Sequence, residues 1–135
     1  MANSVLYATN SGSVSLSNGA VYSPSSITRR CGAGIDLGNN GVILKANGYY
    51  DVDVIATVSG GTATTNVVAT LKQDGVAVPG GTVTTTVVAA NDEVTLPISA
   101  IVRKTKCACQ ESVLTVEISG QATTGINLAF KVERL

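Results

Sequence analysis

The stretch that decides the fold is Gly48 to Gly61, GYYDVDVIATVSGG, where apolar and polar residues alternate between flanking glycines. Apolar residues recur at every second position: Tyr50, Val52, Val54, Ala56 and Val58. The positions between them carry Asp51, Asp53, Thr57 and Ser59, with Ile55 as an apolar exception. A two-residue period is that of a β-strand with one buried face. The stretch therefore predicts a long strand whose second face is not wholly exposed to water.

The composition narrows the class of protein. The 135 residues fit one domain, and the formal net charge is zero. A neutral chain lacks the basic footprint of nucleic-acid binding, so we expect no nucleic-acid partner. No run approaches the ~20 apolar residues of a membrane helix, and the start, MANSVLYATNSG, has neither the basic nor the apolar part of a signal peptide. We expect neither membrane insertion nor export by the general secretory route.

Alternation at period two recurs along the rest of the chain. It predicts the following strands: Ser4–Thr9; Ser13–Leu16 and Ala20–Tyr22 as a hairpin; Ile27–Cys31 and Ile35–Leu37 as two pieces of one interrupted strand; Val42–Lys45; Thr65–Gln73; Val76–Val78; Thr82–Ala89; Glu93–Arg103; Ser112–Ser119; and Ile126–Leu135. Asp74-Gly75 predicts a tight hairpin, and Pro79-Gly80-Gly81 predicts a break. Pro97 lacks an N–H, which places its strand at an edge or a bulge.

The count of strands and the absence of a helical period predict the fold class. About eight to ten strands at intervals of about 8–12 residues are typical of an antiparallel, two-sheet, all-β sandwich or barrel. The apolar residues are mostly Val and Ala, with one Phe and no Trp. Such a core is thinly packed in a lone domain, and association with identical copies would bury more apolar surface.

The order of these parts resembles the C1q and tumour necrosis factor-like jelly-roll superfamily. The resemblance rests on Gly48-Tyr49-Tyr50 opening a strand, the Leu71 to Gly75 hairpin, the apolar strand Val94 to Val102, and an apolar final strand. It covers the chain from about Ile35 to Leu135. It implies a jelly roll and a homotrimer. The interface residues that it implies are Tyr49, Tyr50, Ile55, Leu96, Ile98 and Phe130.

Members of that superfamily also occur in phages, as head-decorating or fibre proteins, and on bacterial spores, as trimeric tips of surface filaments. This chain carries fewer aromatic residues than is usual there, and no collagen-like Gly-X-Y tract precedes the domain. We therefore expect a free-standing particle-surface protein. Residues 1–26, and Met1 to Thr9 in particular, are the segment that we expect to anchor it.

Catalytic chemistry finds little support in the residue types. The chain has no histidine, which removes the commonest general base and the usual partner of a Ser or Cys nucleophile. Asp51 and Asp53 share a strand face and suggest a pair of catalytic carboxylates, a calcium site or a solvated surface. Other oxygen ligands at calcium-loop spacing are missing, which favours the solvated surface. We expect a non-enzymatic protein without a cofactor.

The three cysteines, Cys31, Cys107 and Cys109, form an odd set. Residues two apart on a strand do not easily form a mutual disulfide, and without an export signal we expect reduced thiols. A bridge from Cys31 to one of the pair, a crosslink between subunits, and zinc bound by three thiolates remain alternatives. The spacing is not CxxC and no histidine offers a fourth zinc ligand, so we predict no metal.

Positive charge is concentrated in two short segments. They contain Arg29 and Arg30, and Arg103, Lys104 and Lys106. Such charges usually belong to solvated side chains on loops. If they converge, they form a patch that faces an anionic partner, such as a glycan or an acidic capsid.

These observations together predict a homotrimeric structural protein on the surface of a virus-like particle, a phage head-decoration or fibre protein assembled in the host cytoplasm. Its partners are then its own copies and a capsid or other particle-surface protein. The alternative is a carbohydrate- or receptor-binding module, an adhesin at a fibre tip or on a bacterial spore or cell surface.

Overall fold

The fold was analysed in a computed structural model, which describes residues 4–105 and 110–135. Twelve strands make up this part of the chain: β1 Val5–Asn10, β2 Val14–Leu16, β3 Ala20–Val21, β4 Ser26–Cys31, β5 Ile35–Leu37, β6 Val42–Leu44, β7 Gly48–Gly60, β8 Thr65–Gln73, β9 Val76–Val87, β10 Glu93–Lys104, β11 Ser112–Ser119 and β12 Thr123–Arg134. None of the described segments is a helix that is long and apolar enough to cross a membrane.

The strands form two antiparallel sheets packed face to face. Sheet I has the order β10-β7-β12-β1-β4, with β2 beside β12. Sheet II has the order β5-β6-β11-β8-β9, with β3 beside β11. The predicted class, an antiparallel all-β jelly-roll sandwich, is confirmed. The strands outnumber the eight to ten expected, because four of them have only two or three residues.

The core lies between the two sheets, and β7 contributes the residues that its alternation predicts. Tyr50, Val52, Val54, Ala56 and Val58 are all fully buried. Strand β7 pairs with β10 on one side and with β12 on the other, which are the two partners that complete a sheet around it. Inward residues of β11, such as Leu114 and Val116, cover this surface from sheet II. Period-two alternation was therefore sufficient to assign the inward face of the long strands.

The predicted hairpin between β2 and β3 is wrong. The turn itself forms, because the N–H of Ala20 donates to the carbonyl of Ser17 (3.0 Å) and Gly19 adopts a positive φ of 87°. However, β2 pairs with β12 in sheet I, whereas β3 pairs with β11 in sheet II. The chain thus crosses between sheets at this turn, since each short segment gains more from a long strand than from its equally short neighbour.

The interrupted strand predicted around Gly32 and Gly34 is also wrong. Strand β4 pairs with β1 at the edge of sheet I, and β5 pairs with β6 at the edge of sheet II. Gly32 adopts a positive φ of 79°, which lets the chain turn from one sheet to the other. The bend that the two glycines predict is present, but it lies at a crossover between the sheets and not within one strand.

Two prolines behave differently. The predicted break at Pro79-Gly80-Gly81 is wrong, because strand β9 continues through this segment. The extra residues form a bulge in the pairing with β8. Pro97 lies on β10, which is the edge strand of sheet I, as its missing N–H predicts.

The N-terminal segment is part of the sandwich. Strand β1 lies between β12 and β4, and its residues Leu6 and Ala8 are fully buried. Residues 5–26 thus contribute to both sheets through β1, β2 and β3. The anchoring role of residues 1–26 stays a prediction, and Met1 to Asn3 lie outside the described residues.

Candidate subunit interface

The outward face of sheet I carries an apolar row at its centre. Ile55 on β7 lies directly between Pro97 on β10 and Ala129 on β12, and Thr9 on β1 continues the row. Ile55 leaves 48% of its surface in contact with water, although its strand is flanked on both sides. The exposed part of this aliphatic side chain is apolar surface whose burial against a second molecule is favourable. This row is the candidate interface centre.

Further exposed apolar side chains lie toward one end of the same face. Tyr49 and Ile101 are 52% and 63% exposed. Tyr49 pairs with Arg103, whose guanidinium carbon lies 5.5 Å from the centre of the tyrosine ring. Ile101 pairs with Asp51 one row closer to the sheet centre. The apolar surface of this face is thus broken by charged rows and is not one continuous patch.

The charged rows contain an unusual pairing. Asp51 and Glu133 lie directly opposite each other on β7 and β12, which juxtaposes two carboxylates. Like charges at opposed positions of an antiparallel pair are destabilising. In the next row Asp53 lies opposite Lys131, which has the favourable sign. The row of Asp51 and Glu133 ends in Val5 and Cys31 and contains no cation, and the adjacent row places Lys131 opposite Asp53.

The structure separates the six predicted interface residues into two groups. The side chains of four of them lie in the core between the sheets: Tyr50, Leu96, Ile98 and Phe130. Tyr50 also donates its hydroxyl to the carbonyl of Ala46, and burial raises the pKa of that hydroxyl. These four cannot contact a second copy while the sandwich is closed. Tyr49 and Ile55 remain as candidates, since both face outward.

The two predicted basic segments do not converge. Arg29 lies on β4 and Arg103 on β10, the opposite edges of sheet I, and four strand spacings of about 4.8 Å separate them by roughly 19 Å. Arg30 instead reaches sheet II, where its Nη1 lies 3.3 Å from Asp36 Oδ1. Lys106 lies outside the described residues. Arg29 and Arg30 therefore do not form one patch with Arg103 and Lys104.

Asp36 ties the two sheets together at this edge. Besides Arg30, it accepts from the backbone N–H of Leu37 (2.8 Å) and from Lys45 Nζ (3.3 Å). The hydrogen bond from Leu37 and the two nearby cations lower the pKa of the Asp36 carboxyl. The exposed strand β4, which is wet on both faces, is held to sheet II through this carboxylate.

The sequence-based analysis missed two residues beside Lys104, namely Asn47 and Arg134. Lys104 is only 1% exposed, and its Nζ donates to Asn47 Oδ1 (2.9 Å). Arg134 Nη2 donates to the backbone carbonyl of Asn47 (2.8 Å). The signal was present in the alternation: Lys104 follows the inward residue Val102 by two positions, and Arg134 follows Val132 in the same way.

The cysteine alternatives remain untested. Cys31 is a free thiol on the exposed strand β4. Cys107 and Cys109 lie outside the described residues, so the disulfide, crosslink and zinc interpretations cannot be placed. Within residues 4–105 and 110–135, no three Cys, Asp or Glu side chains cluster as metal ligands would.

Comparison with known proteins supports the fold by structure and not by sequence. No protein-family model matches the chain, and no curated protein matches its sequence. The solved structures that it resembles include the PRD1 vertex protein P5, at a TM-score of 0.71 and 15% identity over 100% of this chain and 99% of that one. Eiger TNF from S. frugiperda matches at a TM-score of 0.71 and 12% identity, over 99% of this chain and 92% of that one.

A third match is the globular domain of zebrafish complement 1qA, at a TM-score of 0.62 and 9% identity, over 99% of this chain and 96% of that one. All three alignments extend over nearly the whole domain, so the likeness is one of complete topology. The fold is a C1q/TNF-like jelly roll. At these identities the likeness describes the fold alone.

Proposed function

We propose that this protein is a non-enzymatic structural protein that forms a homotrimer on the surface of a virus-like particle, as a phage head-decoration or fibre protein. The observation that carries the proposal is the outward face of sheet I, with Ile55 exposed at its centre. Covering the rest of an aliphatic side chain contributes about 1 kcal/mol, so a row of such residues favours association.

A ring of copies can cover both the outward face of sheet I and its open β4 edge, because the two surfaces meet each other in neighbouring copies. In a heterologous ring, one surface of each copy contacts a different surface of the next. The outward face of sheet I then meets the β4 edge of its neighbour, where all six residues are exposed. Arg29 on that edge supplies the cation that Asp51 and Glu133 lack. The contact also covers an open sheet edge, which is otherwise an aggregation hazard.

The resemblance to known folds supports the remaining part of the proposal. The trimer is what a resemblance to the C1q/TNF superfamily implies, and one matching structure is named a vertex protein. A structural role also fits a chain without histidine, in which the polar groups of the interior are used for folding. Gln121, for example, is nearly buried and bonds the backbone of Thr62 and Thr65.

The test of the trimer is the molar mass in solution. Light scattering after gel filtration should give three times the 13.7 kDa mass of the chain. Ile55→Asp should give the mass of one chain, because it places a carboxylate in the covered row. Val68→Asp is the matched control, since Val68 lies on the interior strand β8 of sheet II and faces outward. A wild-type monomer at micromolar concentration, or dissociation by both variants alike, would contradict the proposal.

The particle role needs a separate measurement. Electron microscopy of purified particles, labelled with an antibody against this protein, should show regularly spaced density at particle vertices or on fibres. If the protein is a trimer in solution but is absent from the particles, the proposed assembly holds and the proposed location is wrong.

A further inference from the structure

An open cleft lies at the end of the sandwich where β6 turns into β7. It has a volume of about 410 Å³ and is lined by Asn47, Gly48, Tyr49, Arg103, Lys104 and Thr105. Because Ile55 lies six residues further along β7, the cleft is roughly 20 Å from the centre of the proposed interface. It is therefore a separate feature of the same strand.

Two cations converge on one neutral residue beside this cleft. Lys104 Nζ donates to the side-chain oxygen of Asn47, and Arg134 Nη2 donates to its backbone carbonyl. Gly48, the next residue, lies between the two cations, since it pairs with Lys104 across β10 and contacts Arg134 on the other side. A Cβ on Gly48 would lie 3.3 Å from Arg134 Nε, so glycine makes room for the guanidinium.

These cations have no anionic partner among the described residues. The ion pairs found there are Arg30–Asp36, Lys45–Asp36 and Lys72–Glu117. Arg134 Nε is buried and has no acceptor, and Lys104 is buried with a neutral partner. An unpaired buried charge is costly, and two like charges that share one residue repel each other. An oxyanion in the cleft beside Lys104 would lower the repulsion between the two cations, although Arg134 itself does not line the cleft.

The rim of the cleft adds a surface of a different kind. Tyr49 is half exposed, and Arg103 stacks on its ring. An exposed aromatic ring is a platform for the apolar face of a sugar, and a guanidinium binds carboxylate and sulfate through paired N–H groups. Tyr49 and Arg103 face outward from sheet I and Lys104 points inward, and the three line one cleft because β7 begins and β10 ends there.

We propose that this cleft binds a carboxylated or sulfated sugar of a glycan. Lys104 attracts the oxyanion to the inner end of the cleft, Arg103 binds it from the rim, and Tyr49 stacks on the sugar ring. All of these residues belong to one chain, so the site does not depend on the trimer.

The test measures binding of defined probes by calorimetry and by the shift in melting temperature at constant ionic strength. The probes are glucuronate, N-acetylglucosamine 6-sulfate, uncharged N-acetylglucosamine and inorganic sulfate. The variants are Arg103→Gln on the surface and Lys104→Met at the inner end of the cleft. Arg29→Gln is the matched control for sugar binding: Arg29 is an exposed cation at the opposite edge of the sheet, and a change that weakens the proposed trimer contact should leave a site within one chain intact.

The charged sugars should bind, and the uncharged sugar should not. Arg103→Gln should weaken binding about tenfold or more, the usual effect of losing a hydrogen bond between two charges. Lys104→Met should abolish the melting shift that the charged sugars cause, while leaving the sugar-free protein at least as stable, because an unpaired buried charge has been removed. Arg29→Gln should bind like the wild type.

Other outcomes overturn the proposal. If the charged sugars cause no shift, or if Arg29→Gln weakens binding as much as Arg103→Gln, the cleft is not the site. If inorganic sulfate binds as tightly as N-acetylglucosamine 6-sulfate, the sugar part is wrong. The molar mass of Arg103→Gln separates this inference from the trimer, since loss of sugar binding without loss of mass concerns the cleft alone.

Discussion

The outward faces of the two sheets differ in whether their charged side chains have partners of opposite charge within the same chain. Sheet II presents threonine-rich rows, such as Thr82 and Thr70, and its Lys72 and Glu117 form an ion pair of 2.5 Å. Sheet I presents Ile55 and the opposed carboxylates of Asp51 and Glu133, for which the described residues provide no ion pair. Both sheets also carry exposed apolar side chains, such as Val76 on sheet II and Ile55 on sheet I, so the difference lies in the charges: the opposed carboxylates of sheet I have no ion pair among the described residues.

The inward faces show no such difference. Leu96 and Val54 of sheet I and Leu114 and Val116 of sheet II are all buried to the same extent. Both sheets therefore depend equally on the shared core, and the asymmetry lies entirely in what each sheet presents to the outside. Differences in behaviour between matched variants of the two sheets should accordingly appear only at outward positions.

The largest effect should come from the core, where the two sheets should be alike. Leu96→Ala and Leu114→Ala should each lower the free energy of unfolding by about 2–5 kcal/mol, because each leaves a cavity around a fully buried leucine. Urea denaturation of the two variants measures this. A large difference between them would show that one sheet contributes more to the core than the other.

A smaller effect should appear at the tie between the sheets. The pKa of Asp36 is lowered in the folded protein, so this carboxylate stabilises the fold above its unfolded pKa of about 3.9, and the contribution is lost as the pH falls through the lower folded value. Because about a third of the Asp36 side chain is exposed, the contribution should not exceed ~1 kcal/mol.

Asp36→Asn should therefore melt below the wild type at pH 6, and the two melting temperatures should approach each other as the pH falls below 4. Asp53→Asn, which removes a carboxylate without an ion pair from the face of sheet I, is the control. A difference between Asp36→Asn and the wild type that does not change with pH would contradict the assigned role.

The smallest effect concerns the opposed carboxylates. In the Ile55→Asp background, Glu133→Gln should raise the free energy of unfolding by a few tenths to about 1 kcal/mol, because it removes the repulsion with Asp51. The gain should shrink at high salt. In the wild-type background the same change should weaken the trimer, because it removes a carboxylate that faces Arg29 of a neighbouring copy in the proposed trimer. A gain of the same size in both backgrounds would argue against that contact.

Much of the fold could be predicted because the long strands carry their own pattern. The alternation in β7 assigned its buried face residue by residue and placed Ile55 on the other face, and Asp74-Gly75 predicted the hairpin between β8 and β9. For the candidate sites the same pattern was available but was not followed to the strand ends. There, Lys104 and Arg134 continue the inward series as cations.

The sequence by itself determined which segments are strands and which of their faces point inward, because these properties depend on residues two apart. Only the tertiary structure decided that β2 and β3, and likewise β4 and β5, belong to different sheets. It also decided that the cations at the ends of β10 and β12 meet at Asn47. Such contacts join residues 57 and 87 positions apart, and no local period carries information about them.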